Sequence, residues 1–301
     1  MTDRDVASPL STGGAGTFFE QHVAAYWLTQ LLVRSIPPIL IDSNVVEVSF
    51  QTEHLGWQTD DFLVICAGPG TTRRSLAGQV KRSFTVSASN EECKKAVLDF
   101  WKDYKAGDRF SSTHDRLVLV VQLGTDVLLR DFGGLLECAR VSRDSGDFQR
   151  RLSTPGFIAK RAIRYCEELC KIVSEHEGRA ISGADLWPFL RILHVLSLDL
   201  DTSTRHTEAH LKALLAHTFH KRDPSAMADS SWSSLLALAG SAMSHARTFR
   251  LEDLPEELRQ RHSVLDGTEE RLLRALREHT APILRRIRST IGPNLHLNTA
   301  T

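Results

Sequence analysis

The run Arg116 to Leu123, RLVLVVQL, narrows the choice of fold more than any other part of the chain, because Leu117 to Val121 are apolar without a break. A strand with one wet face alternates apolar and polar residues. An unbroken run of this length instead suits a strand buried on both sides, and such a strand needs helices above and below its sheet. The residues upstream supply the partners. Thr17 to Arg34, TFFEQHVAAYWLTQLLVR, has apolar residues at helical spacing over about five turns. Val45 to Phe50 and Asp61 to Cys66 (DFLVIC) read as strands, the second with an acidic pair at its entry. The turn AGPGTTRRS leads into Leu76 to Lys81, LAGQVK, as a neighbouring strand. Ser89 and Glu92 have the spacing of a capping box and open a helix to about Lys105. Helix, three strands, helix, strand is the order of an α/β fold: a mixed central sheet flanked by helices.

Past residue 126 the pattern turns mainly helical, with helices expected over Asp126 to Arg140, Phe157 to Glu177, Glu208 to Phe219, Ser230 to Phe249 and Glu269 to Arg288. One stretch differs: His194 to Asp201, HVLSLDLD, alternates as a strand does. Turn residues in SRDSGDFQRRLSTPG place a soft boundary near 150, dividing the chain into a core over 1–150 and a mainly helical region over 151–301. Residues 1 to 16, ending in GGAG, read as a flexible lead-in, and no internal repeat is present.

Composition removes several classes of function. A content of 42% hydrophobic and 25% charged residues is incompatible with disorder over the whole chain. Lysine plus arginine equals aspartate plus glutamate at 37 each, so a polyanion must be held by a local patch, which argues against a passive nucleic-acid coat. Residues 71 to 105 offer that patch, with eight basic residues (73, 74, 81, 82, 94, 95, 102, 105) against four acids (91, 92, 99, 103). Five scattered cysteines suit reduced thiols rather than a disulfide framework. Neither a secretory leader nor a membrane-length apolar stretch is seen, so the expectation is a cytoplasmic protein without a membrane partner.

The chemistry is expected on the second and third strands. Gln79 and Lys81 lie two apart and so share a face, while Asp61 enters the adjacent strand. A carboxylate, an amide and an ammonium brought together suit hard oxygen coordination of a divalent cation at a phosphodiester. Asp61 is the direct ligand, with Asp60 as second choice; the Gln79 side chain and the Val80 carbonyl add oxygens, and Lys81 orients the attacking water. Glu20, on the first helix, adds a contact to metal-bound water or to a second ion, while Ala24, Trp27 and Leu31 anchor that helix on the sheet. Two other patterns carry less. His206 and His210 flank Glu208 as HTEAH, one residue out of step with a zinc-protease motif, and Cys166 and Cys170 have no second pair at zinc spacing.

TDDFLVIC followed by LAGQVKRS, with STGGAGTFFEQHVAAYWL before them, resembles the PD-(D/E)XK superfamily, in the variant where glutamine replaces the acidic residue of the last motif. Over roughly residues 11 to 125 the chain looks like the N-terminal endonuclease domain of bacterial anti-phage effectors, both those joined to cyclic-nucleotide sensors and those joined to STAND NTPases. The resemblance implies a restriction-endonuclease-like core with Glu20, Asp61, Gln79 and Lys81 as its centre. It implies Mg²⁺, with Mn²⁺ as substitute, cleavage of double-stranded DNA, self-association on activation, and a regulatory sensor or NTPase domain in cis or in trans. Arg73, Arg74, Arg82, Lys94 and Lys95 are the expected phosphate-facing residues. The alternative is a non-catalytic adaptor that keeps the fold as a docking module; a nuclease acting on RNA is a third reading.

Overall fold

A computed structural model describes residues 14–68, 72–122, 127–200, 205–218 and 224–262. The expected α/β class is what it shows. Helix α1 (Gly14–Leu32) precedes a meander of three antiparallel strands, β1 (Asn44–Phe50), β2 (Phe62–Ala67) and β3 (Arg73–Lys81). Helix α2 (Glu91–Lys105) crosses over to β4 (Arg116–Gln122), which pairs parallel to β3. Its start is set by Asn90, whose side chain accepts the Cys93 N–H at 2.8 Å, rather than by Ser89 as the capping-box spacing suggested. Glu91 and Glu92 in the first turn and Lys102 and Lys105 in the last complement the helix dipole.

A π-helical turn (Leu128–Phe132) runs into α3 (Gly133–Val141), followed by α4 (Ser145–Ser153), α5 (Lys160–Glu177) and α6 (Gly183–Ile192). Two of these were not legible. Helix α4 lies among the turn residues near 150, capped by Asp144, whose carboxylate accepts the Asp147 N–H at 2.7 Å. Helix α6 carries Pro188 in its interior, which hides it from propensity, yet Ser182 and Asp185 form a reciprocal capping box at its start. It passes directly into β5 (Leu193–Leu198), the strand expected from HVLSLDLD, which pairs parallel to β4. Helices α7 (His206–His217) and α8 (Pro224–Ser244) follow. The helix expected to run to Phe249 stops at Ser244: Ala246 takes a left-handed φ of 49°, and Thr248–Arg250 becomes β6, antiparallel to β1. The outer edge of β1 overrides local helical pattern here, and Phe249 is fully buried against Phe50. Short α9 (Glu256–Arg261) ends the described chain. The helix expected over 269–288, most of the lead-in and residues 69–71 of the glycine turn lie outside the described residues.

The sheet order is β5-β4-β3-β2-β1-β6, so residues beyond 150 supply both outermost strands. Helices α1, α7 and α8 cover one face, with Trp27, Leu31, Leu211 and Trp232 over Phe62, Val64, Leu76 and Val118. Helices α2, α3, α5 and α6 cover the other, with Phe100, Leu135, Leu169 and Phe189 over Leu63, Ala77 and Leu117. β4 sends Val118 and Val120 to the first layer and Leu117, Leu119 and Val121 to the second, the double burial that its sequence demanded.

One rung fixes the registration of β2 on β3. Phe62 stands opposite Gly78 and lays its ring on the glycine, while Trp27 of α1 packs on the same ring with centroids 5.3 Å apart. A Cβ at position 78 would stand inside that ring. Gly78→Ala is therefore expected to cost about 1–3 kcal/mol, the usual range for overpacking, read from urea unfolding. The loss should shrink in a Phe62→Leu background; equal losses in both would show that the ring is not its cause.

Candidate active site

β2 and β3 part company one residue beyond the Phe62–Gly78 rung, and Asp61 sits in the fork. Its carboxylate accepts the Val80 N–H at 2.6 Å, taking the place a main-chain carbonyl would have held in the next rung. The approach to Asp61 is tied down at several points. Gln51 N–H and Thr52 N–H donate to the carbonyls of Asp61 and Asp60 at 3.2 and 2.7 Å, and the Thr52 hydroxyl donates to the Thr59 carbonyl at 3.1 Å. From α2, the buried Asp103 carboxylate accepts the N–H groups of Gln58 and Thr59 at 2.9 and 2.7 Å. The loop holding both acids is thus bonded to the segment that follows β1 on one side and to α2 on the other.

Glu20 approaches from α1. With Asp61, Phe62, Val80 and Gln51 it lines a cavity of about 10 Å³, room for one water or one desolvated ion. Burial raises the Glu20 carboxyl above its ordinary value, and the neighbouring Asp61 charge raises it further, against the pull of Lys81. Burial likewise raises Asp61, offset by its bond from Val80 N–H and by Lys81. Lys81, the half-buried last residue of β3, is thus electrostatically coupled to both acids, and Asp60 adds to their repulsion.

Gln79 is buried beneath α2, and its amide donates to the Asp99 carboxylate at 3.2 Å, leaving its carbonyl oxygen buried without a partner. Among the described residues no three histidine, cysteine, aspartate or glutamate side chains form a ready cage for an ion. The donor set suits Mg²⁺ nonetheless, since that ion binds through one or two carboxylates and keeps several waters. Two acids held below their usual readiness to ionise and one orphaned amide oxygen are the groups a small divalent cation would satisfy.

Of the expected phosphate-facing residues, the structure brings Lys95 to this end of the fold, where it sets a charge near Asp61 and stands 3.7 Å from Asp99. Arg82 follows Lys81 directly and donates to Gln122 at 2.7 Å, and Lys94 pairs with Glu91 at 3.2 Å. Arg73 and Arg74 do not join them. They begin β3, about 25 Å from Lys81 at ~3.3 Å per residue, and are paired with Glu47 and Asp42. Sequence counting merged two ends of one strand into a single patch. The groups it missed are Asp99 and Asp103, four apart on α2 and both buried; their signal was two acids on the inward stripe of an amphipathic helix. His206 and His210 are exposed while Glu208 is buried and salt-bridged to Lys212 at 2.8 Å, so HTEAH opens α7 without, among the described residues, forming a cluster for an ion. Cys166 is buried in the second layer with Cys170 at its edge.

No protein-family model matches the chain, and no curated protein does. Among solved structures it is similar to the Cap4 SAVED/CARF-domain containing receptor of Moraxella osloensis, at 11% identity and a TM-score of 0.40, over 77% of this chain and 44% of that one. It is similar also to the Acinetobacter baumannii Cap4 SAVED/CARF-domain containing receptor with the cyclic trinucleotide 3'3'3'-cAAA, at 11% identity and a TM-score of 0.40, over 81% of this chain and 48% of that one. The chain spans less than half the length of these receptors. Among the described residues no helix is long and apolar enough to cross a membrane.

The raised carboxyls make a pH prediction. The folded state holds these two protons more tightly than the unfolded chain, so the contribution of this pair to stability is greatest in acid. It falls as pH climbs from the ordinary carboxylate value of about 4 through the raised ones. In EDTA at pH 8, Asp61→Asn, which keeps an acceptor for Val80 N–H, should melt above the parent by about 2 °C or more, and the gap should close near pH 4. A variant melting below the parent at pH 8 would contradict the repulsion described.

Proposed function

We propose that this chain is a divalent-metal-dependent endonuclease that cleaves DNA, double-stranded by preference, as the effector part of a bacterial anti-phage system. The observation that carries the reading is the fork at Asp61: a carboxylate bonded to the main chain of the strand bearing Gln79 and Lys81, within electrostatic reach of Lys81 and Glu20. The defence setting is supported by the resemblance of residues 11–125 to effector nuclease domains. Asp61, the Gln79 carbonyl oxygen and Glu20 are the groups that would hold Mg²⁺ or Mn²⁺. When bound, such an ion neutralises charge on a phosphate and makes water a better nucleophile.

The chain's own residues supply the rest. Lys81 presents an ammonium beside two acids, positioned to hold a phosphate oxygen and to orient the water that attacks it. Asp61 remains fixed because its second oxygen is committed to Val80 N–H. Glu20, whose carboxyl binds its proton more firmly than usual, is suited to exchange a proton with water. Exposed Arg82 and Lys95 flank this end of β3 and supply positive charge where a phosphate backbone would lie. The competing adaptor reading is favoured by one observation: the motif amide is bonded to Asp99 and no three-acid cage stands ready.

Supercoiled plasmid with Mg²⁺ separates the two. The parent is expected to nick or linearise it and to be silent in EDTA, while Asp61→Ala and Lys81→Ala each lower the rate by about 10²-fold or more. Parallel duplex, single-stranded and RNA substrates assign the polymer, and a concentration series reports any need for self-association. Equal inertness of parent and variants across all these conditions would leave the adaptor.

A further inference from the structure

We propose that Asp99 is a positioning residue for the cation site: its carboxylate fixes the Gln79 amide so that the carbonyl oxygen, not the nitrogen, is presented to the ion. The inference rests on the nuclease reading above and adds to it a residue that the motif does not contain.

An ionised carboxylate only accepts hydrogen bonds, whereas an amide end-group has one accepting and one donating side. Asp99 Oδ2 takes the Gln79 Nε2–H at 3.2 Å. The other side of the amide must then be the oxygen, and that oxygen is buried and without a partner. A bare amide oxygen in such a place is costly unless something positive meets it. Gln79 immediately precedes Val80, whose N–H holds Asp61, and Lys95 is electrostatically coupled to both Asp61 and Asp99, which ties the surroundings of the orphan to the fork.

The charge on Asp99 is itself provided for. Lys95 stands 3.7 Å from Oδ2 and Lys102 4.0 Å from Oδ1, one turn to either side on α2. Burial raises the Asp99 carboxyl above its ordinary value, and these lysines, together with the Gln79 N–H, oppose that and favour the ionised, acceptor-only form. The glutamine thus has a physical rationale. With Asp99 already over this position, a glutamate at 79 would set two carboxylates against each other in a buried place. The amide instead relays an oxygen to the fork, and the formal negative charge resides one layer away on the helix.

The test is binding of Mn²⁺ alone, followed by titration calorimetry, with circular dichroism confirming the fold. Asp99→Asn is nearly isosteric but can turn either face to Gln79. It should weaken Mn²⁺ by about 10-fold or more, the usual effect of losing a partner behind a ligand. Gln79→Met, which keeps the shape and removes the oxygen, should weaken it comparably. The exchange Gln79→Glu with Asp99→Asn returns an oxygen ligand to position 79 with an amide behind it, and should restore affinity to within about 3-fold of the parent. Parent-like affinity in Asp99→Asn, or an exchange no tighter than that single variant, overturns the role of Asp99. A parent that binds no Mn²⁺ and cuts no plasmid overturns the nuclease reading together with this one; a parent that does both, beside an Asp99→Asn chain that does both equally, overturns this one alone.

Discussion

Where β2 leaves β3, the ladder of main-chain bonds runs out one donor too early, and the Asp61 carboxylate takes that donor. A sheet that opens must satisfy the N–H groups along the opening, because in a half-buried place an unpaired one is as costly as a lost hydrogen bond. Here a side chain does so, and the acid used is thereby held at the end of two strands with one oxygen still available. The packing around it maintains this state. Phe62 on Gly78 fixes which residues face each other, Trp27 presses α1 on the same ring, and α1 brings Glu20 alongside.

Charge in this protein is sorted by position rather than by amount. A chain neutral overall places its unbalanced acids at the fork and its counter-charges just outside, on Lys81, Lys95 and Lys102. The buried acids of α2 divide the labour. Asp103 is consumed by two main-chain N–H groups and holds the loop, whereas Asp99 is shared among an amide and two lysines. The first is architecture; the second stands where architecture meets chemistry.

Much of this was legible in the residues. The unbroken apolar run at 117–121 required a sheet covered on both faces, and the D-then-Q-x-K order placed three groups on adjacent strands. What escaped reading were features decided at long range. Pro188 masked α6, and the helical pattern reaching Phe249 gave way to a strand because β1 had an open edge to fill. Asp99 was invisible as a site residue because nothing local marks an acid whose partner lies 20 positions away on another element. The arginines at 73 and 74 were misplaced for the opposite reason: nearness along a strand was taken for nearness in space, when the strand itself separates them from Lys81.

The arrangement of the sheet also orders events during synthesis. β1 is bordered on its outer side by β6, and the two pair across about 200 positions, Ser49 with Thr248. At ~5–20 residues per second on the ribosome, tens of seconds separate the emergence of the two strands. Throughout that interval the outer rim of β1 has no mate, and β1 leads straight into the loop whose N–H groups hold the carbonyls of Asp60 and Asp61. The fork therefore reaches its finished form late, once nearly the whole described chain is available. A nascent copy still attached to its template carries the acids and the lysine of the fork before it carries the strand that borders β1.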